Sequence, residues 1–137
     1  MHTIVNKGTK AKLEITGDIG YNYWADTYED YKKNTSENVA KLLNDIQETK
    51  ATEIDVIIES LGGDLSAALS IYSQIKKTNA KINVYLRGAN ASAATIIAMC
   101  ANVEDIHMDS TGLFLIHKPM TGAYGNANEI EGTLTNL

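Results

Sequence analysis

The sequence predicts an α/β fold, a largely parallel sheet covered by helices, in a single domain of 137 residues. Three observations carry this. Short β-branched runs alternate with stretches of helical periodicity, the spacing suits β-α-β crossovers, and glycines stand where strands turn into helices.

The first elements are two strand candidates, Thr3–Asn6 and Lys12–Ile15, joined as a hairpin by the polar turn Lys7-Gly8-Thr9. From Gly17 to Asn34 runs a polar and aromatic loop holding Tyr21, Tyr23, Tyr28, Tyr31 and Trp24. It reads either as a flap packed over the core or as a surface for a partner or substrate. Asn34 with Glu37 has the form of a capped helix start, and Val39, Leu42, Leu43 and Ile46 recur at helical spacing up to Thr49.

Ile54-Asp55-Val56-Ile57-Ile58 is a buried strand by its β-branched content, and it leads into Ser60-Leu61-Gly62-Gly63-Asp64. The following helix should bury Leu65, Ala68, Leu69, Tyr72 and Ile75 and end near Thr78, with Lys76 and Lys77 at its negative end. The pattern repeats: a strand over Ile82–Leu86, a turn over Gly88–Ser92, and a helix from Ser92 to Ala101. Strands at Asp105–Met108 and Leu113–Ile116 follow. A last helix starts near Asn126 with Ile130 and Leu134 on one side.

Composition narrows the function classes. With 44% hydrophobic residues the chain is large enough for a real core. A net charge of −5 and the absence of a Lys/Arg run argue against nucleic acid or an anionic membrane as partner. The single cysteine, Cys100, lies among aliphatic residues and reads as a small buried apolar group in a reducing compartment. No stretch is apolar enough to span a bilayer, so a cytoplasmic location is expected. His2, His107 and His117 lack metal-ligand spacing, and Gly62-Gly63-Asp64 lacks the Lys-Ser/Thr of a phosphate-binding loop. Neither a metal nor any other cofactor is expected.

Chemistry concentrates at three strand ends, where open α/β sheets gather their ligands. Ser92 opens a helix directly after a strand; taken alone it reads as an N-cap. His117 ends an apolar strand and precedes Pro119, which keeps the chain extended there. Acyl transfer needs a hydroxyl nucleophile, a base titrating near neutrality and donors for the carbonyl oxygen that becomes charged. Ser92, His117 and the amides of Gly63 and Ala93 supply that set. One oxyanion donor is worth about 3–4 kcal/mol in the transition state. The Gly-x-Ser-x-Gly elbow of α/β-hydrolases is missing around Ala91-Ser92-Ala93, so a different fold carries the serine.

These segments together resemble the Clp-type serine peptidases of the crotonase-like superfamily, and among them the phage and prophage head-maturation proteases. Ser60-Leu61-Gly62-Gly63 is similar to the family's Ser-Pro-Gly-Gly, Ala91-Ser92-Ala93-Ala94 to its nucleophile segment, and Ile116-His117-Lys118-Pro119 to its Ile-His-x-Pro. Ser92 follows Gly63 by 29 residues and precedes His117 by 25, which fits the family spacing. The likeness extends from Ile54 to Ile130 and leaves out residues 1–34, the N-terminal hairpin and aromatic loop.

The resemblance implies a fold of repeated β-β-α units, Ser92 as nucleophile, His117 as general base and acid, and Gly63 with Ala93 as the oxyanion hole. It implies an extended polypeptide substrate, such as a capsid or scaffold protein, bound between Asp64-Leu65 and Thr121-Gly122-Ala123. It also implies homo-oligomeric rings assembled through a helical handle, of which residues 119–137 are the beginning. Leu61 stands where the family has proline. The family's third triad member is an aspartate beyond Leu137; no residue here matches it, and Asp109, Glu129 and Glu131 do not occupy its position. The expectation is a truncated form with little activity, since losing the orienting aspartate lowers turnover about 10⁴-fold.

Two rivals belong to other classes. A crotonase-like acyl-CoA hydratase or isomerase would use the paired amides on a thioester enolate, without needing the Ser92/His117 pair. A non-catalytic capsid-assembly component would need none of the site.

Overall fold

Val56 sits in the middle of a row with Leu13 on one neighbouring strand and Val84 on the other, and all three are fully buried. The computed structural model describes residues 3–5 and 9–136. Around that row it forms a five-stranded sheet in which β1 (Thr3–Val5) pairs antiparallel with β2 (Lys10–Thr16). Then β2, β3 (Glu53–Glu59), β4 (Lys81–Leu86) and β6 (Ile106–Met108) run parallel in that order. The expected hairpin is present; its Lys7-Gly8 turn, and His2, lie outside the described residues.

Burial alternates strictly along β2 and β3, so one face of the sheet is apolar and the other polar. The apolar face packs into one core with α2 (Ser36–Glu48), α3 (Leu65–Lys76) and α4 (Ala93–Ala98). On the polar face Lys10 lies 3.6 Å from Glu53 and 3.8 Å from Asp55, and Asn83 Nδ2 donates to Asp55 Oδ1 at 3.0 Å. Exposed pairs of this kind add little stability. They keep the face wet.

A second, two-stranded parallel sheet pairs β5 (Ala89–Ala91) with β7 (Leu113–Leu115) in the register Ala91↔Leu115. The sequence reading made residues 88–92 a single turn. Instead Leu113 N–H donates to the Gly88 carbonyl at 3.0 Å, and three residues become strand because β7 gives their backbone a partner.

Other expectations are corrected. The cap of α2 is Thr35, whose Oγ1 accepts from Asn38 N–H at 3.2 Å; Asn34 is buried and donates to the carbonyls of Thr16 and Asp18 at 2.7 and 2.9 Å. On α3 the buried stripe is Ala68, Ile71 and Ile75, whereas Leu65 and Leu69 face solvent. Helix α4 ends at Ala98, not Ala101. Ile130 and Leu134 lie on α5 (Ala127–Thr135), which has no buried residue.

The covering-flap reading of residues 17–34 also fails. Ile19 and Asn34 enter the interior, but Tyr21, Tyr23, Trp24 and Tyr28 are exposed, and a short helix, α1 (Tyr28–Lys32), carries part of the segment. Cys100 is buried as expected, and His107 stacks on Tyr85 with ring centroids 5.0 Å apart. No helix among the described residues is long and apolar enough to cross a membrane.

Candidate active site

Ser92 has φ 58° and ψ −129°, a conformation that a residue bearing a Cβ adopts only under strain. The reason is the abrupt passage from β5 into α4 across one residue. Its N–H donates to the Leu115 carbonyl at 3.0 Å, and its carbonyl accepts from Thr95 N–H at 3.0 Å and Thr95 Oγ1 at 2.6 Å. The side chain makes no capping hydrogen bond, so the N-cap reading does not account for it. The hydroxyl is left at a half-buried corner.

The glycine turn after β3 lies against that corner. A Cβ at Gly62 would stand 2.7 Å from Ser92 Cβ, 2.9 Å from the Ala91 carbonyl oxygen and 3.0 Å from Ala93 N. With φ of 106° as well, the position admits only glycine. At Gly63 a Cβ would collide with the backbone of Ile19. Ile19 bridges Gly63 in parallel fashion: its N–H donates to the Gly62 carbonyl and its carbonyl accepts Asp64 N–H, both at 3.0 Å. In such a bridge the spanned residue's own amide points the opposite way. Gly63 N–H therefore faces away from Ile19, and neither it nor Ala93 N–H, the first amide of α4, has an acceptor among the described residues.

Two residues overlooked in the sequence join these corners. Asn90 is fully buried; its Oδ1 accepts Ser60 N–H at 3.1 Å and its Nδ2 donates to the Arg87 carbonyl at 3.2 Å. Ser60 in turn accepts Ala91 N–H on its carbonyl at 3.0 Å and Gly62 N–H on its Oγ at 3.1 Å. The signal was available. An asparagine within Gly88-Ala89-Asn90-Ala91 is a polar group in a small apolar stretch, and buried polar groups are held by partners.

His117 lies two residues past Leu115 and is exposed. Its Nδ1 is 2.6 Å from the Lys118 carbonyl oxygen. A carbonyl only accepts, so this contact is made with a proton on Nδ1, and Nε2 is the ring nitrogen that it leaves unengaged. The backbone thus brings Ser92, Gly62, Gly63 and Ala93 together and sets the strand before His117 beside them; no hydrogen bond joins the imidazole to Ser92 Oγ.

Asp64 caps α3, its Oδ1 accepting Ala67 N–H at 2.8 Å, and Leu65 is exposed beside it. Thr121, Gly122 and Ala123 lie in an exposed stretch without regular structure, and a Cβ at Gly122 would meet nothing within 4 Å. Beside Gly63 opens a pocket of about 470 Å³, lined by Asp18, Tyr21, Tyr23, Glu37 and Asp64 among others.

Known proteins share this arrangement of elements. The chain is 35% identical over 100 residues to the ATP-dependent Clp protease proteolytic subunit 2 of Treponema denticola, covering 72% of this chain and 50% of that protein. It is 35% identical over 78 residues to the subunit of the same name from Borreliella burgdorferi, covering 57% and 39%. The chain thus spans about half or less of the length of these curated relatives. A solved ClpP1 variant from Listeria monocytogenes matches the fold with a TM-score of 0.68 at 24% identity, covering 90% of this chain and 62% of that one. The family model described as Clp protease matches residues 23–137, and on that match the chain belongs to the Clp protease family.

Proposed function

We propose that this chain carries the catalytic corner of a serine endopeptidase of the Clp type, which hydrolyses peptide bonds through an acyl-enzyme. The observation that supports this most is the strained Ser92 against the Gly62 turn, in a corner where Gly63 N–H and Ala93 N–H have no acceptor among the described residues.

Ser92 Oγ attacks the scissile carbonyl carbon while His117 Nε2 takes its proton. The carbonyl oxygen becomes an oxyanion held by the Gly63 and Ala93 amides. Collapse breaks the C–N bond, and the leaving amine takes the proton back from the imidazolium. Water then repeats the sequence on the ester and frees the acid and the serine. The Lys118 carbonyl on Nδ1 holds the tautomer this cycle starts from, although it stabilises an imidazolium less than a carboxylate does.

The substrate is an extended polypeptide that adds as a strand along Asp64 and Leu65, with Thr121-Gly122-Ala123 closing from the other side. Head maturation of phage or prophage capsids, homo-oligomeric rings and a cytoplasmic setting are the context we propose, on the strength of the motif resemblance.

Incubation of the 137-residue chain with a fluorophosphonate, followed by peptide mapping, tests the reading. With a carbonyl and no carboxylate on His117 Nδ1, the adduct is expected to form slowly on Ser92, to be absent in Ser92→Ala and to form more slowly still in His117→Ala. An unlabelled chain that binds a CoA thioester instead would make it a hydratase-like protein. An unlabelled chain that binds neither would leave the site without chemistry.

A further inference from the structure

We propose that the tyrosine ladder of residues 21–31 and the pocket it borders bind a lysine- or arginine-bearing stretch of polypeptide and lead it to the Gly63 corner. The inference rests on the peptidase reading for what happens at that corner. The recognition surface itself stands on separate observations.

The rings cluster on Tyr31: Tyr28 is stacked at 6.1 Å between centroids, Tyr21 is tilted at 4.9 Å and Tyr23 stands edge-on at 5.7 Å. They do not cover the core. Tyr23 is 77% and the adjoining Trp24 91% exposed, and exposed aromatic clusters of this kind mark recognition surfaces. Aromatic faces attract cations. One site on the ladder is already filled in this way, with Lys32 Nζ 4.7 Å from the Tyr28 ring centroid.

Charge points to the same ligand. Residues 17–37 contain five carboxylates, of Asp18, Asp26, Glu29, Asp30 and Glu37, against Lys32 and Lys33. Both lysines are engaged within the chain: Lys32 lies 3.5 Å from Glu29, and Lys33 Nζ donates to Thr16 Oγ1 at 3.5 Å. Glu37 and Asp64 line the pocket from the first turn of α2 and the cap of α3, while Asp18 lines it without serving a helix. The Glu37 carboxylate lies 3.4 Å from the Tyr21 hydroxyl at the wall and, by its charge, raises that phenol above its ordinary value of 10.0. Gly63 belongs to the same lining, so the pocket adjoins the glycine turn that lies against Ser92.

The test uses the whole chain as Ser92→Ala, so that binding is read without cleavage. Fluorescein-labelled peptides of lysine, glycine and serine are compared by anisotropy with counterparts in which glutamate or leucine replaces lysine. The lysine peptide is expected to bind tightest, to weaken as salt is raised and to shift Trp24 fluorescence. Adding Tyr23→Leu or Glu37→Gln, both at exposed side chains, should each weaken it roughly two- to fivefold.

Equal binding of the three peptides, preference for leucine, or no binding overturns the inference. So does sedimentation showing that Tyr23→Leu dissociates a dimer, since the ladder would then serve a second copy. Fluorophosphonate labelling of the unmutated chain separates the two readings. Labelling without a lysine preference removes only the recognition surface, and a lysine preference without labelling removes only the peptidase.

Discussion

Ser92 N–H donates to the Leu115 carbonyl at 3.0 Å, which ties the head of α4 to the end of β7 two residues before His117. Together with the bond from Leu113 N–H to the Gly88 carbonyl, it fixes both ends of the β5–β7 pair. The backbone of Ser92 and the strand that precedes His117 are therefore set by backbone bonding. Only the imidazole orientation depends on an exposed side chain.

Gly62 is the tightest point of that arrangement. Its Cβ position is 2.7 Å from Ser92 Cβ and 2.9 Å from a backbone carbonyl, and its φ is positive, so Gly62→Ala has no relaxed solution. The expected cost is about 2–4 kcal/mol in unfolding, with labelling of Ser92 lost even where the variant is folded. Urea titration and adduct mapping on one preparation check both. A variant that keeps stability and labelling would show that the turn can move away from the serine.

The Asn90 clamp is expected to matter for stability before it matters for chemistry. Asn90→Ala leaves Ser60 N–H and the Arg87 carbonyl without their partners in a buried place, at a cost on the order of 2–3 kcal/mol. Asn90→Asp keeps the acceptor but loses the donor and buries a charge, so its urea midpoint should be no higher than that of the alanine variant at neutral pH. A midpoint equal to that of the unmutated chain would remove the clamp from the account.

Which parts were legible in the sequence follows from what each part depends on. Strands β3 and β4 and the presence of a helix after β3 are legible from local pattern, because β-branched runs and helical periodicity are local properties. The strand β5 does not: Ala89-Asn90-Ala91 has little strand character of its own and is extended because β7, 24 residues away, bonds to it. The α3 stripe went astray because Leu65 and Ile71 are both apolar, and only the packing of α3 on its neighbours selects Ile71. At the site, Ser92, Gly63 and His117 were readable as motif positions. Asn90 stood out in the sequence only as a polar residue in a small apolar stretch, and its partners, Ser60 N–H and the Arg87 carbonyl, come from the fold.

Two neighbouring residues where the aromatic segment meets α2 separate a cap from an anchor. Thr35→Ala removes the N-cap bond from Asn38 N–H and the donation from Thr35 Oγ1 to the Lys32 carbonyl at 2.8 Å, at a cost of about 1–2 kcal/mol with no buried amide left behind. Asn34→Ala removes two bonds to carbonyls in the interior and leaves a cavity, so it should lower the thermal midpoint by more and raise protease sensitivity across residues 17–34. Equal midpoints for the two variants would mean that the segment is held elsewhere.

Cys100 is expected to be inert in the folded chain. Burial pushes its thiol from 9.0 up to about 12, so almost no thiolate is present at pH 8 and alkylation should await unfolding. The folded state holds its proton where the unfolded chain has lost it. This contribution is therefore complete below about pH 9 and declines as pH rises towards 12. Rapid modification by iodoacetamide at pH 8 without unfolding would contradict the burial.

Ser92 itself should trade stability for chemistry. Its φ of 58° with ψ of −129° is a conformation that glycine tolerates and residues with a Cβ do not, at about 1–3 kcal/mol of strain. Ser92→Ala keeps the Cβ and hence the strain; Ser92→Gly releases it, offset in part by the greater freedom of glycine in the unfolded chain. Both variants lose the fluorophosphonate adduct, yet the glycine form should unfold at a urea midpoint at or above that of the alanine form, since release of strain adds to the ordinary preference for glycine over alanine at an N-cap. If alanine is clearly the more stable of the two, position 92 is not strained in solution, and the sharp turn that presents the hydroxyl to a substrate carbonyl is lost from the mechanism.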